Sequence, residues 1–339
     1  METSFYIQWH ITNACHLRCR HCYQVDFTRR EDLGWEGLKE VSENILVALR
    51  AWKDEACIHL TGGEPLLKGE LSPLLDHLNR QPEVKELGLI TNGLLLNDEI
   101  LDRFSAIAKF KTIKISLDGA DAQTHDHIRT AGNFERVMEK ISLIQERGSF
   151  DVNLMFTVMK SNLDSLPDFL RLGEELRVEG LIIERFIPLG RGRAIQEEVL
   201  DKFQWRRMLR ALLAYFSMEL EENEIPSYQA FQIDFRGREP QLLGAPCVLG
   251  TEGFCVMPNA DVFPCRRFPL AIGNLLTNSL NNILKTSEII KQIRVRGNLK
   301  GKCRTCDRED CTGCRSLAFS VTGDPFAEDP HCWYTASPE

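Results

Sequence analysis

Strand-like and helix-like segments alternate regularly along the first two thirds of this 339-residue chain. Short apolar runs that end in turn residues are followed by segments whose apolar residues recur at helical spacing. The predicted strands are 5–11, 57–60, 87–91, 112–117, 151–159 and 181–187, and the predicted helices include 35–52, 97–107, 134–144, 163–178 and 197–222. Such alternation predicts an α/β fold with a parallel sheet and outer helices. Six units are fewer than the eight that close a complete barrel.

The alternation stops before the last third of the chain. Residues 224–246 contain three prolines and two glycines, and we expect them to form a linker. The predicted domains are therefore 1–223, which carries the strand and helix units, and 247–339. The second segment is rich in Cys, Gly, Pro and Asn and has little periodicity, so we expect bound metal to stabilise it.

Charge and hydropathy exclude several classes of protein. The chain has 41 Lys and Arg against 49 Asp and Glu, a net charge of -8, which argues against a generally basic nucleic-acid binder. Its longest fully apolar run, 211–216, is far shorter than the roughly 20 residues of a membrane span. The first ten residues lack the pattern of a signal peptide. We therefore expect a cytoplasmic protein with no nucleic-acid or membrane partner.

The distribution of the twelve cysteines is the unusual feature of the composition. Apart from Cys57, they lie in two groups near the ends of the chain, and residues 58–246 contain none. In a reducing compartment this crowding indicates metal ligation rather than disulfides. Cys57 stands alone at the start of a predicted strand, where a buried, inert thiol is expected.

The first group has the spacing C-x3-C-x2-C and follows the first predicted strand directly. Three thiolates on one loop, Cys15, Cys19 and Cys22, can hold three irons of a four-iron, four-sulfur cluster. The fourth iron then has no protein ligand and can be chelated by a small molecule. A structural zinc site is the alternative, but zinc ligands usually occur as two separated C-x2-C pairs. His16 and His21 lie in the same loop.

This loop resembles the signature of radical S-adenosylmethionine (SAM) enzymes. That family places C-x3-C-x2-C after the first strand of a partial (β/α)6 TIM-like barrel, and the resemblance covers residues 5 to about 190. It implies a [4Fe-4S] cluster that binds SAM. The family usually has an aromatic residue before the third cysteine, where this chain has His21.

Three further motifs follow in the family's order. The turn 61–65 resembles the turn that holds the SAM amino group in this family. The strand end 116–119 resembles the family's contact to the ribose hydroxyls. The segment 125–129 resembles the one that carries an arginine for the SAM carboxylate. The implied SAM-binding residues are Gly62, Gly63, Glu64, Ser116, Asp118 and Arg129. Taken singly, these residues are also typical of a tight turn, a strand-end cap or a surface ion pair. No catalytic residue can be named from the sequence.

The second group contains eight cysteines, enough for two fully ligated four-iron clusters. They are Cys247, Cys255, Cys265, Cys303, Cys306, Cys311, Cys314 and Cys332. The two closely spaced pairs between 303 and 314 also suit a structural zinc ion by ligand type, although the four-residue gap between them is short.

The C-terminal region resembles the SPASM extension of radical SAM maturases, a small Cys-rich domain that binds one or two auxiliary clusters, typically [4Fe-4S]. The resemblance implies one cluster on Cys247, Cys255, Cys265 and Cys314, and another on Cys303, Cys306, Cys311 and Cys332. The chain departs from the family at Ala260, where glycine is usual, and in the gaps after Cys306 and Cys311, which are each one residue shorter. These shorter gaps are compatible with two alternatives. Asp307 or Asp310 replaces one cysteine ligand, or one of the clusters is smaller.

The resemblance implies reductive cleavage of SAM to a 5′-deoxyadenosyl radical, which then abstracts hydrogen from a substrate. The first hypothesis is a maturase that oxidatively modifies a peptide or protein. The second is an enzyme that modifies a tetrapyrrole or another small cofactor precursor. The third is a non-catalytic metal-binding module. A flavodoxin or ferredoxin is the expected electron donor.

The substrate is less constrained than the chemistry. The first strand is predicted at residue 5, so we expect no peptide-recognition domain before the barrel, and a separate recognition protein or a small-molecule substrate would account for that. Arg185 lies in the sixth predicted strand, and Arg191 and Arg193 follow it; all three can bind an acidic peptide or propionates. They are equally typical of solvated loop charges.

Overall fold

One continuous sheet organises the molecule. The computed structural model describes residues 4–218, 228–245, 252–308 and 311–334. In these ranges the strands are β1 (Phe5–Thr12), β2 (Ala56–Gly62), β3 (Val84–Thr91), β4 (Phe110–Ser116), β5 (Asp151–Val158), β6 (Gly180–Arg185), β7 (Ala230–Asp234), β8 (Gln241–Ala245), β9 (Gly253–Val256), β10 (Asp261–Phe263) and β11 (Gly273–Asn274). Their order is β11-β10-β9-β1-β2-β3-β4-β5-β6-β7-β8.

Helices in the first two thirds of the chain connect the parallel strands and pack against their outer face, and further helices lie in the C-terminal region. They are α1 (Trp35–Trp52), α2 (Leu71–Asn79), α3 (Asp98–Ser105), α4 (Ala122–Arg129), α5 (Asn133–Arg147), α6 (Leu166–Glu175), α7 (Lys202–Tyr215), α8 (Leu280–Thr286), α9 (Glu288–Arg294), α10 (Lys302–Thr305) and α11 (Arg315–Thr322). Caps expected from the sequence set some boundaries. Asn97, for example, accepts a hydrogen bond from the Ile100 amide at 2.9 Å and begins α3.

The α/β prediction is confirmed. Strands β1 to β6 are parallel neighbours, and the sheet is open, as in a partial barrel. The sequence analysis did not identify α2 or α4, which are only nine and eight residues long. Short helices carry too few periodic positions to stand out from loops.

The segment expected to be a linker adds strands to the sheet where it is described. Strand β7 pairs antiparallel with β6, and β8 pairs antiparallel with β7. Phe231 and Ile233 are buried and their neighbours in β7 are not, which is the alternation of a strand with one covered face. This part of the segment is therefore structured, and its prolines and glycines obscured the short strands.

The C-terminal region joins the opposite edge of the same sheet. Strand β9 lies parallel to β1, and their register pairs Gln8 with Cys255. Strands β10 and β11 follow in antiparallel order. This pairing fixes one cysteine of the second group beside the strand that leads into the first group.

The inner face of the parallel strands is polar. On β1, Ile7, Trp9 and Ile11 pack into the main hydrophobic core, whereas Tyr6 and Gln8 line an internal cavity. Strands buried on both faces are normally almost continuously apolar. The alternation of apolar and polar residues therefore indicates that polar side chains line a cavity on the inner face of the sheet.

Candidate functional site

The loop that carries the first three cysteines is tied down at the end of β1. The Thr12 hydroxyl donates to Asp32 Oδ2 at 2.5 Å, and the Asn13 amide donates to Asp32 Oδ1 at 2.9 Å. Lys68 Nζ lies 3.7 Å from the same carboxylate. These contacts hold the two ends of the loop together, so the thiols between them are presented from a fixed base.

The turn after β2 packs directly against this base. The Gly63 amide donates to Thr12 O at 2.8 Å, and the Glu64 amide donates to Ala14 O at 2.8 Å. A Cβ atom at Gly62 would overlap with the Thr12 carbonyl oxygen, and one at Gly63 with the Ala14 carbonyl oxygen. The chain's own backbone therefore requires glycine at both positions.

A cavity of about 150 Å³, here called the loop cavity, opens beside the three thiols. Its lining includes Cys15, Cys19 and Cys22, and the predicted residues Gly62, Gly63, Ser116 and Arg129. The structure therefore brings together residues from the ends of β1, β2 and β4 and from α4. The side chains of Glu64 and Asp118 are fully buried outside this lining.

Glu64 braces the turn from behind. Its carboxylate accepts hydrogen bonds from the Thr91 hydroxyl at 2.8 Å, the Asn92 amide at 3.0 Å and the Leu66 amide at 3.1 Å. Burial raises the pKa of this carboxyl to about 7, although the three donors act in the opposite direction. The contacts make Glu64 a support for the ends of β2 and β3.

Asp118 positions two groups of the cavity wall. Its carboxylate accepts from Arg129 Nε at 2.5 Å, lies 3.2 Å from His21 Nε2 and accepts from the Thr157 amide at 2.8 Å. Burial raises the pKa of Asp118, but the charges of Arg129 and His21 outweigh it and hold the pKa well below its usual range. The resulting ion pair fixes the Arg129 guanidinium beside Cys19.

Three cavity residues were not identified from the sequence as functional. Tyr23 donates to Gly62 O at 3.3 Å and so joins the cysteine loop to the glycine turn. His21 Nδ1 and Asn92 Nδ2 are buried in the cavity wall without a hydrogen-bond partner. The sequence analysis did not single out Asn92. Its position at the carboxyl end of β3, where the functional residues of parallel α/β folds collect, could have indicated that it lines the cavity.

The loop cavity fits a cluster that also carries a small polar ligand. Burial raises the pKa values of the Cys15 and Cys22 thiols to about 11, so their thiolates require a cationic partner such as iron. Arg129 and Asn92 present donors on the same cavity, and His21 presents its unpartnered Nδ1 there. The residues that would hold a [4Fe-4S] cluster are therefore Cys15, Cys19 and Cys22, with the unpaired polar atoms available to its ligand.

A second cavity of about 460 Å³, here called the inner cavity, adjoins the first. Cys255, Cys265 and Cys314 line it together. Cys247, which the sequence analysis grouped with them, lies outside the described residues. These three thiols converge from β9, the segment after β10 and the start of α11, which suits an auxiliary cluster.

A layer of charged residues separates the two cavities and lines both of them. Arg266 donates to Glu184 Oε2 and to Gln8 Oε1, the latter at 3.1 Å. Arg267 Nη2 lies 3.5 Å from Glu184 Oε1, and its Nη1 donates to Arg185 O at 2.9 Å. Two guanidinium groups thus share one carboxylate, which leaves an excess of positive charge on the wall.

The remaining four cysteines form a separate group near Arg296. This side chain donates to the carbonyl oxygens of Cys303, Cys306 and Cys311 at 3.4, 2.9 and 3.2 Å. The Asp329 amide donates to the Cys303 sulfur at 3.5 Å, and the turn that begins at Asp329 carries Cys332. The grouping suits a second auxiliary cluster.

The two aspartates that were considered as alternative cluster ligands receive no support from the structure. Asp307 is exposed, and Asp310 lies outside the described residues. Within the described ranges, no three Cys, His, Asp or Glu side chains converge closely enough to hold a single metal ion. Ala260 occupies the usual glycine position with a φ of 70°, the left-handed conformation that glycine adopts without strain.

Arg185 is the last residue of β6, and Arg191 and Arg193 follow that strand. Arg185 is buried, lies over the Trp205 ring at 4.3 Å and is paired with Asp329, so it is neither a solvated loop charge nor a free anion site. Arg191 donates to Cys19 O at 3.4 Å, and Arg193 is exposed. Arg185 therefore fits neither of the two roles expected for these arginines, because it faces the C-terminal region.

Two family models match the chain. Residues 9–173 match the radical SAM superfamily, and residues 247–307 match the iron–sulfur cluster-binding SPASM domain. The second match favours iron–sulfur clusters over the zinc alternative. No helix in the described residues has the length and apolar character needed to span a bilayer.

Individual relatives cover almost the whole chain. An AdoMet-dependent heme synthase from Methanosarcina barkeri is 28% identical, over 97% of this chain and 96% of its own. The mycofactocin maturase MftC from Mycolicibacterium smegmatis is 25% identical, over 98% and 83%. The fold is similar to Streptococcus suis SuiB bound to the precursor peptide SuiA, with a TM-score of 0.73 and 15% identity over 98% of this chain and 77% of that one.

Proposed function

Because the chain belongs to the radical SAM superfamily and carries a SPASM domain, we propose that it oxidises a carboxylate-bearing small molecule of the tetrapyrrole class. It is an enzyme that uses a [4Fe-4S] cluster and SAM, with auxiliary iron–sulfur clusters in the SPASM domain. When bound, the cluster and SAM supply a 5′-deoxyadenosyl radical that removes a hydrogen atom from the substrate. The alternative of a non-catalytic module is set aside.

The chain's own residues bind, orient and shield the reacting groups. Arg129, held by Asp118, would bind the SAM carboxylate, since guanidinium donors suit that group. The 62–63 turn and Ser116 line the same cavity, beside the thiols of the cysteine loop. Phe186 and Ile187 line this cavity after β6 and would limit the access of water to bound SAM.

The observation that carries the proposed substrate class is the arginine pair between the cavities. We take the inner cavity as the substrate space. Arg266 and Arg267 share Glu184 as their carboxylate, so the wall of this cavity retains positive charge. Positive charge on a cavity wall favours an anionic substrate. A tetrapyrrole with propionate side chains meets this requirement, and similarity to a heme synthase over nearly its full length supports that class.

A peptide or protein is the second candidate substrate. Similarity to the maturase MftC over 98% of this chain favours it. An acidic peptide would also satisfy the arginine pair. In that case a separate peptide-recognition protein would be the expected partner. With either substrate, a flavodoxin or ferredoxin is the proposed electron donor.

The test uses the full chain, purified and reconstituted without oxygen. SAM, dithionite and either a propionate-bearing iron porphyrin or a mycofactocin-type precursor peptide are added, and 5′-deoxyadenosine and substrate mass are followed by mass spectrometry. We expect a porphyrin product that has lost hydrogen, with deoxyadenosine formed in proportion. Conversion of the peptide alone would replace the tetrapyrrole proposal with the maturase.

A matched control separates enzymatic turnover from reagent chemistry. The Cys19→Ala variant keeps the auxiliary cysteines but lacks one ligand of the loop cluster, so it should convert neither substrate. If the wild-type enzyme cleaved SAM but altered neither substrate, the proposed substrate class would be wrong. The reductive cleavage of SAM would still be supported.

A further inference from the structure

Lys114 presents an ammonium group to the inner cavity without a carboxylate partner. It lies on the inner face of β4, and its Nζ donates to the Tyr6 hydroxyl of β1 at 3.2 Å, across the barrel interior. Its charge also lies 5.1 Å from the centre of the Tyr6 ring. Among the described residues, no Asp or Glu oxygen lies within ion-pair distance of this nitrogen.

The other basic side chains that line the inner cavity are already engaged. Arg185 pairs with Asp329, and Arg266 and Arg267 pair with Glu184. Arg315 also lines this cavity and donates to the carbonyl oxygens of Pro325 and Ala327. Arg266 and Arg267 also follow Cys265 directly, so their charge is next to the thiols of that cavity. Lys114 lies on a different strand, four places from β9 in the sheet order. Its charge is therefore the one most available to a ligand in the substrate space.

A buried network holds the Tyr6 hydroxyl in place for Lys114. The Tyr6 oxygen lies 2.9 Å from His59 Nδ1 and accepts a hydrogen bond from Gln8 Nε2 at 3.3 Å. With Lys114 and Gln8 donating, the phenol donates to His59. The far nitrogen of His59 lies 3.8 Å from Glu86 Oε1. The Lys114 ammonium is thereby oriented by one hydrogen bond and keeps two protons for a ligand.

The packing of the neighbouring strands accommodates this hydrogen-bond network. A Cβ atom at Gly88 would lie 2.6 Å from His59 Cδ2, so the glycine makes room for the imidazole. Burial, aided by the Lys114 charge, lowers the pKa of His59 to about 4, and the ring is neutral near pH 7. Glu86 accepts from Thr112 at 2.7 Å, and its pKa is lowered by His59, by Thr112 and by the nearby charge of Lys114.

We propose that Lys114 anchors a carboxylate of the substrate in the inner cavity, with Tyr6 as its positioning partner; this rests on the proposed function above. The inner cavity adjoins the loop cavity and shares lining residues with it, including Met155 and Glu184. Ser116, two residues along the same face of β4, lines the loop cavity about 7 Å further on. An anchored carboxylate would thus hold the adjoining carbons near the thiol loop.

The test compares binding of a charged and an uncharged form of one probe. The reconstituted full-length enzyme is titrated with an iron porphyrin that carries propionates and with its methyl ester, and binding is followed by tryptophan fluorescence. We expect the wild type to prefer the acid. Lys114→Met should weaken acid binding by at least about tenfold and leave ester binding unchanged. Lys114→Arg should restore part of the preference.

Two controls accompany these variants. Lys111→Met changes an exposed lysine of the same strand and should bind both probes as the wild type does. SAM binding should be the same in all four proteins, which shows that the loop cavity is intact. Equal binding of the acid by the wild type and Lys114→Met would overturn the anchor.

Turnover distinguishes failure of the anchor from failure of the proposed function. Conversion of the acid by wild type and Lys114→Met with the same Kd would contradict the anchor and support the function. A Lys114-dependent preference for the acid without any conversion would support the anchor and contradict the function. Absence of acid binding by the wild type would contradict both.

Discussion

Arg185 Nη1 lies 3.1 Å from Oδ1 and 3.0 Å from Oδ2 of Asp329, and both side chains are about 2% exposed. The pair joins the carboxyl end of β6 to the segment that leads to Cys332. Asp329 also accepts from the Cys314 amide at 2.8 Å, and its own amide donates to the Cys303 sulfur. One ion pair therefore connects the barrel with both groups of C-terminal cysteines.

Replacing Arg185 by methionine is expected to destabilise the protein by about 3 kcal/mol, because a buried carboxylate is left without its cation. Chemical unfolding under anaerobic conditions measures the change in the free energy of unfolding. The double variant Arg185→Met, Asp329→Asn removes both charges and should recover part of the loss. A double variant no more stable than the single one would contradict the role assigned to the pair.

Cys19→Ala is expected to remove about four of about twelve irons from the reconstituted protein. It should also abolish 5′-deoxyadenosine formation, since the remaining two thiols of the loop cannot retain the cluster. Iron and sulfide analysis with electron paramagnetic resonance gives the count. Cys57→Ala is the matched control, because this thiol lies outside the loop and contacts Ser4. An unchanged iron content in Cys19→Ala would contradict the ligand assignment.

Gly63→Ala is expected to displace the turn from the cysteine loop, because the new methyl group overlaps with the Ala14 carbonyl oxygen. SAM affinity should fall by about tenfold or more, whereas the auxiliary clusters, which are held elsewhere, should persist. Equilibrium dialysis with labelled SAM measures the affinity. Gly69→Ala, where a Cβ atom meets nothing within 4 Å, should bind SAM normally.

His59 is expected to make the protein less stable as the pH falls from about 6.5 to 4. Burial lowers its folded pKa to about 4 from the usual 6.5 of histidine, so the unfolded chain takes up a proton that the folded chain excludes. This difference in pKa makes the free energy of unfolding about 3 kcal/mol higher above pH 6.5 than at a pH well below 4. Tyr6, Lys114 and Glu86 face the ring.

Urea unfolding at several pH values tests this expectation. The variant His59→Gln keeps an acceptor for Tyr6 and a donor toward Glu86 but does not titrate. It should show a flatter dependence of the free energy of unfolding between pH 6.5 and 4. The same slope in both proteins would assign the acid sensitivity to other groups.

The strand and helix pattern predicted the architecture well, and the exceptions have physical reasons. Short apolar runs that end in turn residues mark strands β1 to β6, whereas α2 and α4 are too short for a clear period. The strands β7 and β8 were taken as a linker because glycine and proline lie close to them. The cysteine groups could be recognised from spacing, but only the family resemblance, and no local pattern, placed Cys311 and Cys314, three residues apart, in different groups.

Local sequence by itself determined the order of strands and helices and the loop of Cys15, Cys19 and Cys22, because periodicity and ligand spacing are properties of neighbouring residues. Only the tertiary structure decided that Asp118 and Glu64 act behind the cavity wall. It also decided that Lys114 of β4 meets Tyr6 of β1, 108 residues away. Which side chains share an enclosed space depends on how the sheet curves and packs, and no local pattern encodes that.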